Sequence, residues 1–227
     1  MAPVPRENAG SCRERSPLLP RRAGGRASPA DWLALGISAL ASPFLILPLF
    51  AFVITAAYST DWRHWLCWST VAAFFSTGIP LLYVLNEWCS GRITDLHVMQ
   101  REQRGSPFLV ALLSSTVGTA VLFYGGAPLA LVVVGIGIVC NGIVFALITL
   151  RWKISLHPSV YAACVICAAV LAAPGFAWGL LALPAIVWAR VRRTRHSLAQ
   201  GLAAIGVAAA VTLGVLALYG YLRTGPS

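Results

Sequence analysis

Residues 128–157 read PLALVVVGIGIVCNGIVFALITLRWKISLH: an uncharged apolar run from Pro128 to Leu150, ended at once by Arg151, Trp152 and Lys153. A helix that crosses a bilayer needs about 20 predominantly apolar residues, and tryptophan and cations are favoured where such a helix reaches the headgroups. The run therefore predicts a spanning helix, with residues 151–156 as a polar loop at its end.

The same alternation extends in both directions. Apolar stretches at 32–58, 64–87, 107–126, 128–150, 157–173, 176–189 and 197–222 are candidate spans. The fifth and sixth are short and separated by Pro174-Gly175, so they count either as two steep helices or as one re-entrant pair. With 58% hydrophobic and 11% charged residues, the chain has more apolar surface than a water-soluble fold of this length buries. The expected fold is an all-α, polytopic membrane helical bundle of six to seven transmembrane helices, forming one domain over residues 31–223. Residues 1–30 hold Pro, Gly, Ser and six arginines without apolar periodicity. They are expected to be a disordered cytoplasmic tail. No secretory leader pattern precedes the first apolar stretch, which is expected to stay as a helix.

Six cysteines include Cys164 and Cys167 in a Cys-x-x-Cys arrangement. That pair lies within an apolar stretch without further metal-ligand spacing, so both read as small packing residues. Six of the eight tryptophans lie at or near ends of the apolar stretches, as lipid-facing interfacial anchors do.

Seven spans place the N-terminal tail and the loops at 88–106, 151–156 and 190–196 on one face. That face then holds 15 of the 17 Lys and Arg residues, leaving Arg63 and Arg223 for the other. Setting aside Arg101, Arg104, Lys153 and Arg190 as residues a site could hold in place, the bias is still eleven to two. The positive-inside rule makes this face cytoplasmic. Four arginines at 190–195 cannot sit at a bilayer centre, where each costs about 2.5–3.5 kcal/mol, so that stretch lies at a surface or lines a wet cavity.

From Gln103 onward the chain contains no Asp or Glu, yet Lys153, His157, Arg190 and His196 sit in two polar breaks between apolar segments. Fixed cations beside histidines, with no carboxylate near in sequence, predict an anion site. Phosphate fits best, because Arg presents a planar fork to its oxygens and Lys a point charge. A third polar stretch on the same face carries Asp95, His97, Arg101, Glu102 and Arg104.

Taken together the three stretches resemble the type 2 phosphatidic acid phosphatase superfamily, with its motifs Lys-x6-Arg-Pro, Pro-Ser-Gly-His and Ser-Arg-x5-His-x3-Asp. The third is matched as Ala189-Arg190, five residues, His196, three residues and Gln200. The second is matched as Ile154-Ser155-Leu156-His157, keeping Ser and His. In the first, His97 stands seven residues before Arg104, where the family has Lys, and proline arrives only at Pro107. The likeness covers roughly residues 90–205 and is greatest to a bacterial branch whose first motif has the form Gly-x-Ile-Ser/Thr-Asp.

The resemblance implies a bacterial plasma-membrane hydrolase, and the charge bias puts its site at the cytoplasmic helix ends. It implies that His196 attacks phosphorus to form a phosphohistidine and that His157 protonates the leaving oxygen. Arg190, Lys153, Arg104, Arg101, Ser155 and His97 would hold the phosphoryl oxygens. No metal and no cofactor is required. Those roles suit the residues on chemical grounds, since neutral imidazole is a competent nucleophile and a well-matched general acid near neutral pH. Gln200 replaces the family's Asp: its carbonyl can accept the His196 Nδ1 proton but brings no charge.

The expected substrate is a lipid phosphate or diphosphate, with an isoprenoid favoured because a tunnel between helices admits a long tail laterally. Membrane lipids are the other expected partners: Arg192, Arg193 and Arg195 read as headgroup contacts. No nucleic-acid partner is expected. One alternative is a membrane prenyl transferase or terpene cyclase, which would need Mg²⁺ on acids such as Asp95 and Glu102. The other is a catalytically weak relative that binds a phospholipid headgroup.

Overall fold

The computed structural model describes residues 27–91 and 105–222, and every regular element among them is helical. The order is α1 (Pro29–Leu40), α2 (Pro43–Tyr58), α3 (Trp62–Ala73), α4 (Ile79–Cys89), α5 (Gly105–Tyr124), α6 (Leu129–Thr149), α7 (Leu156–Leu171), α8 (Leu183–Arg192) and α9 (Leu198–Leu218). A π-helical turn, Phe74–Gly78, joins α3 to α4, and a 3₁₀ segment, Pro174–Ala182, leads into α8.

Five helical stretches are long and apolar enough to cross a membrane, and six if α1 and α2 form one bent span. The stretch at 32–58, expected as a single helix, is two helices bent by 47°. The cause is local. Pro43 has no N–H to continue the α1 ladder, and the residue before a proline is pushed out of the helical region. Ser42 accordingly adopts φ −63°, ψ 135° and becomes the residue that starts α2. The stretch at 176–189 gains length from the 3₁₀ segment and runs for 19 residues, Pro174–Arg192. The stretch at 157–173 is the 16-residue α7, which at about 1.5 Å per residue falls short of the roughly 30 Å hydrocarbon core.

That short helix is the centre of the bundle. It packs against α2, α8, α9 and the 3₁₀ segment, and nine of its residues, His157 among them, are buried. Small side chains allow the close approach: Ala162, Ala168 and Ala204 are fully buried, as expected where helices associate by packing without help from water. Cys164 and Cys167 are buried in α7, with Cys167 in the cluster of Ile54, Val133 and Leu216. The outer surface is apolar as well, with Leu109, Leu113, Leu147, Leu202 and Leu218 more than half exposed. Helices that are apolar all round belong in lipid.

The π-helical turn shows how an irregular backbone is kept satisfied. Pro80, with no N–H, cannot cap the carbonyl of Phe75; the Ser114 hydroxyl of α5 donates to it instead, at 2.6 Å. One helical turn along α5, Gly118 lets Phe75 in so closely that a Cβ there would lie 2.3 Å from the Phe75 Cβ.

Candidate functional site

The two polar breaks are joints between helices. Ser155 is the residue that starts α7, with φ −95° and ψ 114°, so His157 falls in the first turn and points inward, 6% exposed. The second break is a helix reversal of a defined kind. At the end of α8 the N–H of Arg195 donates to the Arg190 carbonyl at 3.1 Å and that of Thr194 to the Val191 carbonyl at 2.8 Å. These are the paired bonds of a Schellman motif, which needs a left-handed residue between them. Thr194 takes that conformation at φ 53°, although a β-branched side chain is disfavoured there. The five-residue spacing between Arg190 and His196 is thus the length of one Schellman reversal.

Immediately after His196, α9 opens on a capping box. Ser197 accepts from the Gln200 N–H at 3.2 Å, and Gln200 Oε1 accepts from the Ser197 N–H at 3.1 Å. The same Oε1 lies 3.3 Å from His196 Nδ1. His196 is outside the helix, so this contact comes from Gln200 folding back over the cap. An amide oxygen has only lone pairs to offer, so Nδ1 carries the proton in this contact.

Arg190, His157 and His196 line one cavity of about 300 Å³, otherwise bounded largely by apolar side chains of α2, α5, α6 and α7. Arg190 is 5% exposed. Its Nη1 donates to Ser38 Oγ of α1 at 2.7 Å. Two residues further on, Arg192 Nε meets Asp31 Oδ1 at 3.0 Å and its Nη2 donates to Ser28 Oγ at 3.0 Å. Asp31 and Ser28 themselves form the capping box of α1. Helix α1 is therefore strapped along α8 by two arginine contacts. Arg192, expected from the sequence as a headgroup contact, makes this ion pair while its side chain stays 29% exposed.

The remaining expected residues are placed as follows. Ser155 is fully buried beside the site and does not line the cavity, and its Oγ has no hydrogen-bond partner among the described residues. Lys153 is partly buried in the α6–α7 joint, and Gln200 is partly buried behind His196; neither lines the cavity. His97, Arg101 and Arg104, with Asp95 and Glu102, lie outside the described residues.

Sequence reading missed Ser38, Asn141 and Thr212. Ser38 is fully buried and acts on a residue 152 positions away. Asn141 and Thr212 line the cavity and bond to each other at 3.2 Å. The available signal was an isolated polar residue within each apolar run.

Comparison of the chain with protein-family models, with curated proteins and with solved structures finds no match.

Proposed function

We propose that this protein is an integral membrane phosphatase that hydrolyses a lipid phosphate or diphosphate, an isoprenoid ester being favoured, through a phosphohistidine. One observation carries the reading: Arg190, His157 and His196, from two separated joints, line a single cavity whose other walls are mainly apolar. That combination suits an ester with an anionic head and a hydrocarbon tail.

In this scheme His196 Nε2 forms a bond to phosphorus as the ester P–O bond breaks. His157 delivers a proton to the departing oxygen, so a lipid monophosphate yields an alcohol and a lipid diphosphate yields the lipid monophosphate, which a second round converts to the alcohol. Water then attacks the phosphohistidine, His157 takes up its proton, and inorganic phosphate leaves. Arg190 stabilises charge on the equatorial oxygens, which in a partly dehydrated cavity counts for more than it would in water. Arg101, Arg104 and His97 are assigned to the same oxygens, while Lys153 and Ser155, which do not line the cavity, support the joint that carries His157. Gln200 fixes the His196 tautomer without adding the charge that would stabilise its cation. The site is assigned to the cytoplasmic face by the charge bias.

A second reading has its own support. Gln200 Oε1 is shared between His196 and the N-terminal cap of α9, which suits a lipid-binding protein with little turnover. Phosphate release from a panel of prenyl and glycerolipid phosphates by purified protein, with and without EDTA, separates the readings. Turnover that survives chelation is expected. Binding without turnover favours the lipid-binding protein, and turnover that requires Mg²⁺ favours a diphosphate-ionising enzyme using Asp95 and Glu102.

A further inference from the structure

Asn141 of α6 and Thr212 of α9 lie in the wall of the cavity, well inside the bundle. Asn141 is eight residues before the end of α6 at Thr149, about 12 Å along the helix from the polar joint. Its Nδ2 donates to the Gly137 carbonyl at 2.9 Å and to Thr212 Oγ1 at 3.2 Å. A backbone carbonyl only accepts, so the nitrogen must face Gly137 and the identity of the other atom as Oδ1 is fixed. That Oδ1 is buried and has no hydrogen-bond partner among the described residues. A buried acceptor without a donor is unfavourable, and native proteins rarely leave one so.

One helical turn away in the same cavity wall there is room. Gly137 is buried and lines the cavity, and a Cβ built on it would meet nothing within 4 Å. The nearby lining is Val134, Ile138 and Phe145 of α6 and Cys164 of α7. A group that donates to Oδ1 here is uncharged, since no Asp or Glu among the described residues lines the cavity to balance a cation. It must also donate a hydrogen bond, since Oδ1 can only accept.

We infer that the Asn141–Thr212 pair is a binding site for the hydroxyl of a long-chain alcohol. The volume sets the size of the chain. A cavity of about 150 Å³ accommodates a benzene ring, so one of about 300 Å³ takes about a dozen carbons. The donor requirement sets the selectivity, because a free alcohol has a proton to give and an esterified oxygen has none. Read together with the proposed phosphatase, the pair holds the product and not the substrate: once the P–O bond has broken, the new hydroxyl can move inward from the arginine to the asparagine. That meaning rests on the phosphatase reading; the binding itself does not.

The test is competition against a diazirine-bearing dodecanol photoprobe on the full chain in nanodiscs. The competitors are 1-dodecanol and dodecyl methyl ether, which partition into bilayers to similar extents while only the alcohol donates. On the unaltered protein, dodecanol is expected to compete at roughly tenfold lower concentration, with labelling on α6 or α9. In Asn141→Leu that preference should vanish, and in Gly137→Leu labelling should be lost for want of space. Equal competition by alcohol and ether on the unaltered protein overturns the assignment whether or not the variants fold, as does a preference that persists in Asn141→Leu. Alcohol preference in a protein that releases no phosphate from any lipid ester leaves the site standing and removes the phosphatase.

Discussion

His196 Nδ1 and Gln200 Oε1 lie 3.3 Å apart across the first turn of α9, and the same oxygen holds the Ser197 N–H at 3.1 Å. Gln200 therefore serves two purposes, orienting an imidazole and starting a helix, and a substitution must be read on both. Gln200→Leu should slow turnover and also cost about 0.5–2 kcal/mol of stability through the lost cap. Gln200→Glu keeps both bonds and adds a negative charge beside the imidazole, so turnover should hold or rise. In serine proteases the corresponding carboxylate contributes about 10⁴ in rate; a rise of even one decade is measurable. Rates matching the parent in Gln200→Leu, with stability lowered, would leave Gln200 only its capping role.

Ser38 positions Arg190 from another helix, and Ser38→Ala would remove the acceptor of a buried N–H. The expected loss is about 1–3 kcal/mol, seen as a lower Tm in detergent. If the serine aims the guanidinium at the phosphoryl oxygens, kcat and kcat/KM should fall, since Arg190 acts on charge in the transition state. A lowered Tm with kcat and KM unchanged would confine Ser38 to packing α1 against α8.

Thr194 carries the strain of the reversal between Arg190 and His196. Glycine accepts φ 53° without a side-chain clash, at the cost of extra freedom in the unfolded chain. Thr194→Gly should therefore stabilise by about 0.5–1 kcal/mol. Thr194→Pro, with φ fixed near −65° and no N–H for Val191, should break the motif and abolish activity by displacing His196. A Thr194→Pro protein of full stability would show that the reversal does not depend on its hydrogen bonds.

Much of this fold was legible from composition alone, because a helix surrounded by lipid announces itself by a continuous apolar run. Each of the seven runs corresponds to helical structure. The 47° bend was written in Ser42-Pro43, but hydropathy averages over such a break. The capping box before α9 is likewise a local signal, Ser197-x-x-Gln200. Contacts between distant helices have no such signature. Nothing near Ser38 refers to Arg190, and Asn141 with Thr212 meet only because α6 packs on α9. Of the candidate site, residues 157, 190 and 196 share the cavity, while His97, Arg101 and Arg104 stand outside the described residues.

The eleven-to-two charge bias predicts that the polar joints face the cytoplasm. Cys89, exposed at the end of α4, reports on that face in a variant lacking the other cysteines. A membrane-impermeant thiol reagent should label it only after permeabilisation. Strong labelling in intact cells would return the site to the outer face.

The central claim is that His196 becomes covalently phosphorylated. Purified protein mixed rapidly with a ³²P-labelled prenyl phosphate and quenched in alkali should carry a label that is stable to base and lost in mild acid. The label should be absent in His196→Ala and should persist in His157→Ala when the leaving group is a good one, since there only the acid is missing. Undiminished phosphate release by His196→Ala would contradict the account outright.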